Sequence, residues 1–380
     1  MTDEGKQVPD GMKVLAGMEV HGLDLSYFTG KFEAFVRYKE IPHRRIEMSL
    51  GGMRRVARAT GLAQMPAVKL PDGRWMSDST PMIEWIDAQL PGPKVVPEDP
   101  LQRFFSRLLE DYADEWLWRP ALHYRWSYQP DARLMSHRIA AEMMHDLKLP
   151  LFIRRWAIYR RQLAKYVRGD GITAATRAHV ESIYARNLAF LERMLSARPY
   201  LLGERPTLAD FGFFASMFRH FGLDPTPARI MRDQAPAVFE WLGRMWNAKA
   251  SRLQGTLLPG VPEDWRPVLE DIGACYLPYL NANANAWRAG RKDFEISIEG
   301  TTYDLPVNRY RVWCLERLQA AFHELPEADA QAARTLLAET GCGEKLWEMR
   351  DTRSGFDVSG RAPFFEPRSV WTDQAINSSI

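Results

Sequence analysis

Cysteine is nearly missing from this chain: Cys275, Cys314 and Cys342 are the only three among 380 residues, all late in the sequence. They form neither a Cys-x-x-Cys pair nor a metal-ligand spacing, which argues against a disulfide scaffold and a zinc module. A reducing cytosol, with these thiols buried as small apolar residues, is the expectation. An excess of either charge is missing too, and a formal net charge of +2 leaves no electrostatic case for a nucleic-acid partner. No apolar run is long enough to cross a bilayer, so no membrane partner is expected. The opening from Met1 to Met12 is polar and holds no apolar core of a secretion signal, which again suits a cytoplasmic protein. The eight histidines are scattered without ligand-like spacing, and no metal is expected. There is no internal repeat.

What is present is ordinary globular material. Hydrophobic residues make up 46% and charged residues 26%, in a chain long enough for about two domains plus additional structure. One stretch concentrates positive charge: Arg154, Arg155, Arg160, Arg161, Lys165 and Arg168. A solvated helix face is the plain reading, and an acidic ligand or partner the other.

The apolar period changes repeatedly between His21 and Leu90. Leu23 to Phe28 reads as a strand, Lys31 to Lys39 as a helix, Arg44 to Met48 as an edge strand and Gly51 to Thr60 as a basic helix. Ala67 to Leu70, the turn Pro71-Asp72-Gly73 and a second short strand form a hairpin that leads into a helix from Met82 to Leu90. Alternating strands and helices followed by a hairpin suit a mixed sheet with helices on its faces. A stiff proline-rich linker from Pro91 to Pro100 closes the unit. Long helical patterns follow: Leu101 to about Trp126, Met135 to Leu147, Leu151 to Val167, Thr176 to Leu195, Leu208 to Phe221 and Ala235 to Trp246. Farther on, Glu263 to Trp287 reads as helical, and Asp293 to Leu305 alternates about a Glu299-Gly300 turn as a hairpin. Two more helices, Tyr310 to Phe322 and Ala328 to Ala338, complete the pattern. The tail after Thr352 has little pattern and is either irregular or wrapped over another surface. Trp265, Trp287, Trp313 and Trp347 need cover from water, so this last third packs on the helical domain. Thr207 and Asp210 have the spacing of a capping box, a structural role.

Four segments carry a resemblance. These are Gln64-Met65-Pro66-Ala67-Val68-Lys69-Leu70, then Trp75-Met76-Ser77-Asp78-Ser79-Thr80-Pro81, then Pro199-Tyr200-Leu201-Leu202-Gly203, then Pro206-Thr207-Leu208-Ala209-Asp210. In these, and in its domain order, the chain resembles the glutathione transferases from about Leu23 to Trp246. The resemblance implies an α/β thioredoxin-like domain with a mixed four-stranded sheet, then an all-α bundle. Beyond both lies an α+β C-terminal extension with a β-hairpin. The expected divisions are a lead-in over 1–20, the glutathione-binding domain over 21–90, a linker over 91–100, the helical domain over 101–254 and the extension over 255–380.

The same resemblance implies a cis bond at Pro66, turning the Met65 backbone out to pair with glutathione as an added strand would. Ser79 would hold the γ-glutamyl carboxylate at a helix N-terminus, with Asp78 facing the amine. Arg54, Arg55 or Lys69 are candidates for the glycine carboxylate. The thiol donor would lie in Leu25-Ser26-Tyr27-Phe28-Thr29-Gly30-Lys31, where ungapped counting back from Lys31 points to Ser26 and a short gap to Tyr27, with Thr29 or no donor as the remaining alternatives. Strand alternation would send Ser26 and Tyr27 to opposite faces. An apolar electrophile would dock against the first helix of the second domain, which carries Tyr112, Trp116, Trp118, Tyr124 and Trp126. The implied function is activation of the glutathione thiol for attack on a hydrophobic electrophile, as in detoxification, by a homodimer. Isomerisation, dehalogenation or ether cleavage, and a non-catalytic scaffold, are the alternatives.

Overall fold

The computed structural model describes residues 10–365, so the chain's opening through residue 9 and its last residues, 366–380, lie outside the described residues. The first domain is built from α1 (Asp10–Leu15), β1 (Met18–Gly22), α2 (Tyr27–Tyr38), β2 (His43–Glu47), α3 (Leu50–Thr60), β3 (Ala67–Lys69), β4 (Trp75–Ser77) and α4 (Ser79–Gln89). Its sheet runs β2-β1-β3-β4, with β1 parallel to β2 and the other pairs antiparallel. That is a thioredoxin-like mixed sheet, with β2 on one edge as its polar sequence demands.

The first strand is not where the period placed it. β1 begins at Met18, inside the stretch read as a lead-in, while Leu23 to Ser26 is a loop and Tyr27-Phe28 open α2. Ser26 sits in the extended region (φ −83°, ψ 129°), and its hydroxyl accepts from the Thr29 N–H at 3.3 Å, which starts the helix at Tyr27. Leu23, Leu25 and the aromatic pair look β-like because all are apolar, yet the N-cap decides the local conformation.

The second domain contains α5 (Pro100–Glu115), α6 (Trp118–Ser127), α7 (Gln129–Glu142), α8 (Leu151–Gln162), α9 (Arg177–Ala197), α10 (Leu208–Ser216), α11 (Pro225–Gln234) and α12 (Pro236–Asn247). The pattern from Leu101 to Trp126 is two helices, broken at Trp116 and Leu117. Pro120 has no N–H to continue the ladder across that point, and fits only in a first helical turn. The capping box is in place: the Thr207 N–H donates to Asp210 Oδ2 at 2.9 Å, and Asp210 Oδ1 accepts from the Leu201 N–H at 2.9 Å.

The extension holds α13 (Arg266–Asp271), α14 (Leu277–Arg288), β5 (Asp293–Ile298), β6 (Thr301–Pro306), α15 (Arg309–His323) and α16 (Glu327–Glu339). Glu299 and Gly300 both have positive φ (49° and 77°), as a two-residue hairpin turn requires. Trp265 is fully buried and donates to the Leu201 carbonyl at 3.1 Å, tying the extension to the helical domain. The three cysteines are buried. The extension also reaches the sheet domain. The Ser77 N–H on the edge of β4 donates to the Pro363 carbonyl at 3.0 Å, and Phe364 packs edge-on to Trp85.

Candidate functional site

Strand register brings three separate segments to one end of the sheet. His21 lies opposite Ala67, and Ala67 opposite Ser77. The loop leaving β1 toward Ser26, the Met65-Pro66 step entering β3 and the Ser77-Asp78-Ser79 exit from β4 are therefore neighbours. The Met65–Pro66 bond is cis. Beside it, the Gln64 side chain donates to the Ser77 hydroxyl at 2.9 Å.

Ser26 is half-buried at the N-terminus of α2. Tyr27, the other donor left open above, is buried in the interface between domains and gives its hydroxyl hydrogen to the Ala113 carbonyl at 2.5 Å. Burial, then the nearby Asp114 charge, pushes that phenol well above its ordinary range. Because both residues sit at a helix start, strand alternation does not apply to them. Thr29 is buried outright.

The loop before Ser26 is held from the second domain. Arg125 donates to the Leu25 carbonyl at 2.9 Å, while forming a two-pronged pair with Asp224 at 2.8 and 2.9 Å. It also donates to His220 at 2.8 Å, and burial followed by the Arg125 charge keeps that imidazole neutral, well below its usual range.

One turn into α2, Lys31 is fully buried. Its ammonium meets Asp114 at 2.5 Å, Thr80 at 3.0 Å and Glu110. Burial works against the charge, but the two carboxylates hold it on. Burial, with Glu110 sharing the same cation, drives the Asp114 carboxyl well above the ordinary carboxylate range even beside Lys31. Thr80 also donates to Glu110, so the start of α4 is fixed to α5.

Asp78 has φ +74° and is buried, and Ser79 behind it opens α4. The Asp78 carboxylate accepts from Tyr310 of α15 at 2.9 Å. Burial raises it to about 6, with Arg317 and Tyr310 opposing the rise. The γ-glutamyl end expected from the sequence is thus roofed by the extension.

Of the aromatics proposed for an electrophile pocket, Tyr112, Trp116, Tyr124 and Trp126 are core residues; Tyr112, for example, donates to Asp271 at 2.6 Å. Only Trp118 keeps a half-buried face, stacked on Phe28 with 6.0 Å between ring centres, two residues from Ser26. Arg54 and Arg55 are exposed on α3, and Lys69 is half-buried on β3. Sequence reasoning did not single out Phe28, Arg125, Lys31 or Tyr310. The Ser26-x-x-Thr29 cap was the available signal for the first; the others depend on partners far along the chain.

Elsewhere, His179, Cys275 and Glu299 bring their ligand atoms within 4.8 Å of one another. Arg186 already fills that cluster with a cation, 3.0 Å from Glu299 and 3.8 Å from the Cys275 sulfur. An open cavity bounded by Phe322, His323 and Trp347 lies within the extension and shares no residue with the sheet-end cluster.

Comparison with known proteins follows the same division. Residues 25–89 match the family described as Glutathione S-transferase, N-terminal domain, and residues 174–244 match Glutathione S-transferase, C-terminal domain. Among solved structures, the beta-etherase LigF from Sphingobium sp. strain SYK-6 is similar at 18% identity, over 62% of this chain and 97% of that one, with a TM-score of 0.44. The Tau class glutathione S-transferase from mango (Mangifera indica L.) is 15% identical over 63% of this chain and 96% of its own, with a TM-score of 0.40. A glutathione S-transferase from Methylobacillus flagellatus KT, solved with glutathione bound, is 18% identical over 62% and 98%, with a TM-score of 0.39. No curated protein matches.

Proposed function

We propose, for a chain that belongs to the glutathione transferase superfamily through its N- and C-terminal domains, that it binds glutathione at the end of the sheet and activates its thiol. The observation that supports this best is that the loop leaving β1 toward Ser26, the Met65-Pro66 step and the Asp78-Ser79 turn all open from one end of β1, β3 and β4. Met65 would pair through its backbone with the cysteinyl unit, Ser79 would take the γ-glutamyl carboxylate and Asp78 the amine. The Ser26 hydroxyl, which now accepts from the Thr29 N–H, still has its own hydrogen to give to sulfur at the N-terminus of α2. A free thiol titrates at about 8.5, and each unit by which such a bond and the helix dipole lower that value corresponds to about 1.4 kcal/mol in favour of the thiolate. Phe28 and Trp118 would offer an apolar face for a hydrophobic electrophile. Conjugation is the reaction put forward, with isomerisation, dehalogenation or ether cleavage set by the shape of that face. A homodimer in the cytoplasm completes the reading.

The burial of Asp78 and Ser79, with Tyr310 bonded to Asp78, favours a second reading, a binding protein whose tripeptide site its own extension has closed. Calorimetry with glutathione separates the two. The open-site reading expects heat in the wild type, weakened by Ser79→Ala, and a thiol pKa raised by about one unit in Ser26→Ala, followed by thiolate absorbance. No heat in the wild type, together with recovered binding in Tyr310→Phe, means the closed form; no heat in either removes glutathione altogether.

A further inference from the structure

Helix α8 is turned inside out. Its inward side carries Arg154, whose guanidinium donates to the Ala140 and Met144 carbonyls at 3.1 and 2.8 Å, together with Ile158 and Gln162, both buried. Those bonds cap the end of α7 and tie the helix to the fold. The opposite side puts apolar groups into solvent: Phe152 is 70% exposed and Trp156 62%, with Ile153 between them and Leu149 just ahead of the helix. Within the helix, 152, 153 and 156 have the spacing of one face. Four of the nine large apolar side chains exposed among the described residues fall in these eight positions, which single substitutions at random would not produce.

Charge decides what covers the stripe. From residue 147 to residue 169 there is no Asp or Glu, while Lys148, Arg154, Arg155, Arg160, Arg161, Lys165 and Arg168 supply seven cations. Lys148, Arg160 and Arg168 are exposed, and Arg160 lies over the Trp156 ring at 5.6 Å. A second copy docked through a two-fold axis would set these cations against their own images. The stripe protrudes from the helix, so it suits a soft anionic surface that it can enter better than a partner with a matched groove.

We propose that α8 docks the protein on an anionic lipid surface, with Phe152, Ile153 and Trp156 entering the headgroup boundary and the flanking cations held at the phosphates. The helix lies on the membrane and does not span it, consistent with no helix of the described residues being long and apolar enough to cross one. The absence of a membrane partner expected from the sequence rested on spanning alone.

Co-sedimentation of the full chain with vesicles tests this. Phosphatidylcholine mixed with phosphatidylglycerol should carry the wild type down, pure phosphatidylcholine much less, and added salt should release it. Each cation near the surface accounts for about fivefold in partitioning, so Arg160→Gln with Arg168→Gln should weaken it about 25-fold. Phe152→Ser with Trp156→Ser, both at exposed positions, should weaken it by about tenfold or more. The proposal falls if the wild type stays in the supernatant with mixed vesicles, as it would were the stripe built for an acidic protein. It falls equally if either double variant partitions like the wild type, or if the wild type is a dimer that the serine variant makes monomeric.

Discussion

Two buried charge clusters hold the Ser26 segment, and they are balanced differently. Arg125 and Asp224 form a one-to-one, two-pronged pair whose remaining donors go to the Leu25 and Arg219 carbonyls and His220. Lys31 faces two carboxylates, Glu110 and Asp114, so with both ionised the second cluster would carry a surplus negative charge in a dry site. In the first cluster the cation is permanent and its partner indispensable. In the second, a proton can do part of the partner's work. Geometry alone makes both look like strong ion pairs; the count of charges separates them.

The comparison breaks most sharply at Asp224. Burial raises its carboxyl to about 6, with Arg125 pulling it down, so it is mostly ionised at neutral pH. Asp224→Asn leaves a buried guanidinium that cannot shed its proton, and should cost about 3–5 kcal/mol. The urea midpoint at neutral pH measures it. A loss below about 1 kcal/mol would mean the pair is solvated and does not anchor Leu25.

Asp78 gives the next largest effect, on binding. Its raised carboxyl makes the folded chain hold a proton that the unfolded chain releases. The stability contributed there is complete below the ordinary carboxylate range and is lost as pH rises through about 6. Glutathione binding should run the other way, because the ligand's amine prefers the ionised form. Affinity should rise by about tenfold as pH passes through about 6, worth about 1.4 kcal/mol, and Asp78→Asn should flatten that profile in calorimetry. An unchanged profile in the variant would place the amine elsewhere.

What could be read from the letters follows the range of the interaction. The Met65-Pro66 step, the Thr207-Asp210 box and the Glu299-Gly300 turn are decided within a few residues, and each is in place. The apolar content of Leu23 to Phe28 points to a strand, and the Ser26 cap that overrides it is just as local. The roof on Asp78 comes from Tyr310, 232 residues away, and the anchor on Leu25 from Arg125, 100 residues away. No period in either segment announces a partner at that distance. The aromatics of α5 and α6 were ambiguous for another reason: a tyrosine in a core and one in a pocket have the same spacing, and only burial tells them apart.

Asp114 should show the smallest effect, and it sharpens the contrast with Asp224. Its carboxyl is pushed well above the ordinary range by burial and by sharing Lys31 with Glu110. The folded state therefore binds a proton that the unfolded chain gives up, and the stability from this site, full below the ordinary carboxylate range, drains away as pH rises. Asp114→Asn removes the surplus charge and leaves Lys31 paired one-to-one with Glu110. At neutral pH the variant should lie between no change and about 1 kcal/mol more stable, with the gap over the wild type widening toward alkaline pH. The same Asp-to-Asn change would then be severe in one cluster and harmless in the other. A loss above about 2 kcal/mol in urea unfolding would show that Asp114 is ionised and that both clusters follow the Arg125 rule.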